Sequence, residues 1–239
     1  MGLFDKKNCD FCGGKIGLLG NRKLSDGNMC KDCAAGISPY LVGRKTYSVA
    51  DMKEHLEYRE QNKEKLESFN ATRSIGLVTK VHIDDDKGLL LITSSRRYKD
   101  GNPDLLAFSQ VTGCAVDIDE DKKELKRKTA DGKEESYVPP RYKFEYDFYV
   151  NVNINHPWFD QIRFKVNQSD IDGRASVEYR ETALQANEIR DTLQGLHKQV
   201  RAEAAEAARP KTSVNCPSCG ASTLPDKNGR CEYCGASVN

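Results

Sequence analysis

The chain has 239 residues, 38% hydrophobic and 31% charged, which suits one medium core with smaller satellites better than one large enzyme domain. Lys and Arg total 37 against 36 Asp and Glu, a formal net charge of +1, so the global attraction of a general nucleic-acid or membrane-surface binder is missing and any such binding is local. No run reaches the roughly 18 to 20 apolar residues that span a bilayer, and the opening MGLFDKKNCD lacks a secretion-signal stretch, so a soluble, cytoplasmic protein is expected.

Gly2 makes no myristoylation site, because Lys6 stands where that motif takes Ser or Thr. Eight of the nine cysteines form CxxC pairs, Cys9/Cys12 and Cys30/Cys33 near one end, Cys216/Cys219 and Cys231/Cys234 near the other. In a reducing compartment such pairs read as metal ligation before disulfides. CDFC and CKDC, seventeen residues apart, and CPSC and CEYC, eleven apart, each offer four thiolates to one tetrahedral ion. Gly13, Gly220 and Gly235 directly after their pairs suit the tight turn that aims two sulfurs at one point. Four thiolates leave no open position for water or substrate, so two structural zinc ions are expected, one per end. Iron in a rubredoxin-like site shares the donor set, and spacing alone does not separate the two metals. A thioredoxin-like redox reading fits poorly, since redox CxxC occurs singly at a helix start. Fragments this short usually need a metal to fold, so loss of one cysteine is expected to unfold that end only.

After the first module, 1–45, Ser48 and Asp51 form a capping-box start for a connector helix within 46–72. Its apolar residues Val49, Met52, Leu56, Leu66 and Phe69 are separated by EYREQNKEK, which predicts a largely solvated helix leaning on neighbours at its two ends. From Ser74 the pattern turns to period two. SIGLVTKVHI and LLLITS flank DDDKG as a hairpin, and LLAFSQVTGCAVDID reads as one long or two short strands. KELKRKTADGKEESY carries a second turn at Asp131-Gly132, and YKFEYDFYVNVNI and FDQIRFKVN alternate clearly, six or seven strands in all. A long helix then runs to Pro210, with Ile189, Leu193, Leu196 and Val200 as the stripe that caps the sheet; a coiled-coil dimer seam has too few heptads.

Cys114, between Gly113 and Ala115, reads as a core residue, and His55, His82, His156 and His197 form no ligand or catalytic spacing. No phosphate loop, HExxH or nucleophile elbow occurs, so no enzyme is expected. Asp84, Asp85 and Asp86 read as a solvated hairpin tip. Lys122, Lys123, Lys126, Arg127 and Lys128 form the densest basic stretch, with Arg96, Arg97 and Lys99 a second; both read as solvated faces unless they meet, when they would hold an anionic headgroup or phosphate. Trp158 and Phe159 beside Pro157 are either a core pair or an exposed aromatic contact.

The segment MGLFDKKNCDFCGGKIGLLGNRKLSDGNMCKDC resembles a bacterial family of unknown function whose members begin with a four-cysteine zinc-binding segment. NCPSCGASTLPDKNGRCEYCGA is similar to the generic zinc ribbons at the termini of many bacterial proteins, usually taken as protein-interaction or folding modules. The middle, from KGLLLITSS through the meander to the helix after Ser176, resembles bacterial pleckstrin-homology-like (PH-like) domains. Lipid-binding members of that superfamily commonly carry basic residues at the first hairpin loop, where this chain has DDDKG, which favours protein contact over inositides. The expectation is an α+β multidomain chain, with a first zinc module at 1–45 and a connector helix at 46–72. A PH-like antiparallel β-barrel or sandwich capped by its helix follows at 73–209, and a zinc ribbon at 210–239. Its function is expected to be that of a non-enzymatic adaptor with a protein partner, no small-molecule substrate and a place in the cytoplasm, peripheral to a membrane if that central domain binds anionic lipid; a nucleic-acid role is disfavoured by the neutral charge.

Overall fold

The structure, a computed structural model, describes residues 7–208, 213–226 and 228–238, so Gly2, Lys6 and Pro210 lie outside it. The chain divides into two compact units, the first ending at Lys198 and the second beginning at Gln199.

The first unit opens with a small hairpin, β1 (Arg22–Lys23) and β2 (Asn28–Met29), and a one-turn helix α1 (Lys31–Ala34). Helix α2 (Val49–Glu67) starts where the sequence places it: Ser48 Oγ accepts the Asp51 N–H at 3.1 Å, and the Asp51 carboxylate accepts the Ser48 N–H at 2.8 Å. The middle of α2 corrects the expectation of a solvated connector. Met52, His55, Arg59, Asn62 and Leu66 are all buried, spaced 3, 4, 3 and 4 along one face. The two ends are apolar, as expected. Met52 joins Leu24 and Met29 in one cluster, ringed by Phe11, Leu56 and Trp158, and Leu66 joins Phe69, Leu91 and Leu105 in another. Between them the buried face is polar, so a search for apolar periodicity passes over it.

That polar stretch is a satisfied network around one ion pair. Arg59 Nη1 lies 2.5 Å from the Asp104 carboxylate, and both side chains are buried. Asp104 also accepts the Ser38 hydroxyl at 2.7 Å and the Tyr58 hydroxyl at 2.9 Å, while Arg59 donates to the carbonyls of Gly36 and Asn102. Asn62 reaches Asn102 and the Pro103 carbonyl and accepts the Leu105 N–H. His55 Nε2 accepts the Ser38 N–H at 3.0 Å. The first cysteine module, α2 and the chain at 102–105 are thereby joined by hydrogen bonds with a buried charge at the centre.

Strands β3 (Arg73–Ile75), β4 (Lys80–Asp84), β5 (Leu89–Thr93) and β6 (Leu105–Ala107) form an antiparallel sheet in chain order. The DDDKG turn between β4 and β5 is solvated at Asp85 and Asp86, as expected, but not at Asp84. Asp84 is buried and accepts the N–H groups of Asn70 and Lys87, and Asp85 pairs with Arg73 at 3.0 Å. A second antiparallel sheet holds β7 (Val111–Lys128), β8 (Glu134–Ile154), β9 (Gln161–Lys165) and β10 (Ile171–Asp172). β8 pairs with β7 on one side and, on the other, with β9 and then β10. Buried Tyr146, Phe148, Val150, Val152 and Ile154 alternate along β8 as the sequence predicts. Helix α3 (Val177–Ala207) covers this face with Ala186, Ile189, Leu193 and Leu196. Tyr179 meets Tyr146 and Phe148 edge-on, and Gln194 donates to the carbonyl of buried Cys114; Val200 is half-buried.

Among the described residues the strands close no barrel. The two sheets remain separate, because β7 has β8 as its one partner strand and carries charge along its outer half, where a barrel would need a further pairing. The architecture is mixed α and β, with antiparallel sheets and a long C-terminal helix. In the second unit, β11 (Val214–Asn215) and β12 (Ser222–Thr223) pair antiparallel on either side of the first cysteine turn. Among the described residues, no helix is long and apolar enough to cross a membrane.

Candidate metal centres

Each cysteine quartet is assembled from two local turns. In the first, the Gly13 N–H donates to the Cys9 carbonyl at 2.8 Å, and Gly13 has φ +70°. The turns after Cys216 and Cys231 repeat this bond at 2.8 Å, with Gly220 and Gly235 at φ +71° and +70°. A left-handed backbone at these three positions is what glycine supplies. The fourth pair works differently. Cys30 is the N-cap of α1, its sulfur accepting the Cys33 N–H at 3.3 Å, so no glycine is needed after Cys33.

The sulfurs converge. Cys9 and Cys33 lie 3.8 Å apart and Cys12 and Cys30 3.9 Å; in the second quartet Cys216 to Cys234 is 3.6 Å and Cys219 to Cys231 is 3.7 Å. All four ligand atoms of each set lie within 4.8 Å of one another. Thiolates ~2.3 Å from one tetrahedral ion are separated by ~3.8 Å, so both quartets are positioned to hold a metal ion and fit zinc. Backbone dipoles favour the required thiolate form. Burial alone would raise the Cys9 thiol, but the N–H groups of Cys12, Cys30 and Phe11 outweigh it and hold it at about 6. Cys231 is likewise brought to about 6, as N–H groups of Cys234 and Tyr233 overcome desolvation. Cys33 is pushed up chiefly by burial, with the neighbouring Cys30, Cys12 and Cys9 sulfurs adding to it. The Ala221 N–H favours the Cys219 thiolate, but the Cys234 sulfur, burial and the Cys216 and Cys231 sulfurs together outweigh it and raise Cys219 to about 12. A bound dication reverses that penalty, since it stabilises all four thiolates together.

The remaining candidate residues do not converge. Arg96, Arg97 and Lys99 lie in the loop after β5, where Arg97 pairs with Asp100 at 3.1 Å and Lys99 donates to the Glu67 carbonyl. Lys126, Arg127 and Lys128 stand at the far end of β7, in the other sheet, and no contact among the described residues joins the two basic stretches into one anion site. Trp158 is half-buried against His55, with ring centroids 4.8 Å apart, and belongs to the cluster under the first cysteine module; Phe159 is buried. The core reading of that pair holds. Cys114 is buried, and desolvation raises its thiol to about 11, away from nucleophilic use.

Beyond Glu145 on β8, β7 and β8 continue without a third strand as a two-stranded β-arm. Residues directly opposite share a face, so Lys122, Phe144 and Tyr142 extend the face of Tyr146 and Phe148, while Lys123, Lys143, Leu125 and Arg141 occupy the other. Lys122 Nζ lies 3.9 Å from the Tyr142 ring centroid, and the Arg141 guanidinium 4.7 Å from that of Tyr137. Leu125 and Tyr142 are exposed, and Val138 is 94% exposed. Arg141 and Lys143 were missed as neighbours of the basic stretch. Extending the Asp131-Gly132 turn into a register would not have found them, because the pairing shifts by four residues between Lys126↔Ser136 and Leu125↔Arg141.

Residues 7–55 match the model of a family described as a domain of unknown function (DUF4428). The match spans the first cysteine quartet and the opening turns of α2, ending at His55. No curated protein and no solved structure matches the chain.

Proposed function

We propose that the protein is a non-enzymatic adaptor acting through protein-protein contacts, with two zinc ions in purely structural roles. The observation that carries the reading is the β-arm, whose Leu125, Val138 and Tyr142 are presented to solvent on two strands. Eight cations between 122 and 143 are interleaved there with Glu124, Asp131, Glu134 and Glu135, and Arg127 pairs with Glu135 at 3.1 Å. Mixed charge around exposed aromatic and aliphatic side chains suits a protein partner better than a uniformly anionic polymer. Antiparallel strands followed by one long covering helix support a PH-like reading of 73–209. The zinc role is supported by closed four-thiolate quartets with no position for substrate, and by end modules too small to fold on apolar burial alone.

The test is a mild-detergent pull-down of the tagged full chain from its own cells, beside a Leu125→Ser, Tyr142→Ser variant and a Cys219→Ala, Cys231→Ala variant. A stoichiometric protein that is lost with the arm variant, at unchanged metal content, supports the adaptor and places its contact. Recovery of lipid alone, or of nucleic acid released steeply by salt, overturns it. Metal analysis of the same samples is expected to give two zinc ions per chain, and iron in their place overturns the zinc assignment.

A further inference from the structure

The first cysteine module carries an apolar tip that its own fold does not use. Gly17, Leu18, Leu19 and Gly20 form a tight turn closed by the Gly20 N–H donating to the Gly17 carbonyl at 3.0 Å. The two leucines occupy the corner positions, and they are 82% and 89% exposed. Two adjacent leucines held this far out gain nothing from the folded chain. The turn is anchored at its base, since buried Ile16 precedes it and the Ile16 N–H donates to the Lys7 carbonyl.

Cations surround the tip. Lys15 and Lys31 border the shallow cleft beside Leu18 and Leu19, together with Asp32, and the Arg22 guanidinium donates to the Leu19 carbonyl at 3.2 Å. Over 7–45 the chain has seven Lys and Arg against three Asp, an excess that stays positive after the net −2 of a zinc ion held by four thiolates. This is the local charge that the near-neutral total conceals.

We propose that the Gly17–Gly20 turn is a membrane-insertion tip, with Leu18 and Leu19 entering the acyl boundary of an anionic bilayer while Lys15, Arg22 and Lys31 meet its phosphates. The shape selects the occupant. A convex tip two side chains wide is too small for a stable protein interface of its own, but it matches the shallow depth at which peripheral segments sit in a bilayer. The cationic collar complements anionic headgroups and adds the second signal that reversible anchoring needs. The inference stands apart from the adaptor reading, whose contact lies on the β-arm.

The test is co-sedimentation of the zinc-loaded full chain with phosphatidylcholine vesicles, with and without phosphatidylserine, at low and high salt. The chain is expected to sediment with the anionic vesicles and be released by salt. Leu18→Ser, Leu19→Ser should lower partitioning about a hundredfold, and Lys15→Gln, Lys31→Gln about thirtyfold. Each variant must keep the zinc content of the parent chain, and neither leucine supports a core whose loss would mimic the effect. Three results overturn the proposal: failure of the parent chain to sediment at low salt, equal sedimentation with neutral vesicles, or a leucine variant that sediments like the parent. Sedimentation lost with Leu125→Ser, Tyr142→Ser while the leucine variant binds would also overturn it, moving the lipid contact to the β-arm.

Discussion

At the scale of single residues, the most consequential groups are polar and buried. Asp104 receives Arg59, Ser38 and Tyr58, so removing it strands a guanidinium in the interior. Asp104→Ala is expected to cost about 3 to 5 kcal/mol in urea unfolding, whereas Arg59→Met with Asp104→Asn should cost less than the sum of the two single changes. His55 makes the network sensitive to pH. Burial, reinforced by the Arg59 charge and opposed by Asp104, lowers its pKa to about 4. The neutral ring must keep Nε2 free to accept the Ser38 N–H, a role a protonated ring cannot fill. An unfolded histidine binds a proton near 6.5 and the folded one near 4. Stability is therefore full above about 6.5 and falls as pH drops through that window, by about 3 kcal/mol from this group. His82 and His156 are lowered too, chiefly by burial, and add to the same slope. Denaturant titrations across the window should show a shallower slope for His55→Gln, whose amide oxygen can still accept the Ser38 N–H; an unchanged slope would place the effect elsewhere.

At the scale of elements, local signals did most of their work where backbone geometry is demanding. The capping box at Ser48 and Asp51, the turn at Asp131-Gly132 and the three Cys-Gly turns were legible because each needs a particular residue at a particular position. The same logic applies at Gly76, where φ is +95° and an added Cβ would lie 2.3 Å from the Thr79 carbonyl oxygen. Gly76→Ala should cost about 1 to 3 kcal/mol and loosen the β3–β4 pairing, to be read as faster amide exchange at Ile75 and Val81. The buried middle of α2 was not legible, because His55, Arg59 and Asn62 have helical spacing but the composition of a solvent face. Only their partners at Ser38, Asn102 and Asp104, 17 to 45 residues away, show why they face inward. In the DDDKG turn the solvated reading holds for the exposed Asp85 and Asp86 and fails only for Asp84, which caps two backbone N–H groups.

At the scale of the whole molecule, two cysteine quartets of the same chemistry sit in different mechanical settings, and this revises the expectation that losing a cysteine unfolds one end alone. The first quartet shares its small core with α2: Leu24 and Met29 pack with Met52, and Ser38 reaches into the buried network. Stripping its metal should therefore loosen α2 and the chain at 102–105 as well. The second quartet belongs to a separate compact unit. Cys12→Ala, Cys30→Ala is then expected to lower the main thermal transition of the chain by several degrees, since losing even about 1 kcal/mol shifts Tm by about 2 to 4 °C in a chain of this size. Cys219→Ala, Cys231→Ala should leave that transition in place, and each variant should retain one zinc ion. Calorimetry with metal analysis on both variants decides the matter. Equal effects would mean that the first module is as independent as its length suggested, and that the network around Asp104 transmits nothing from the metal to the sheets.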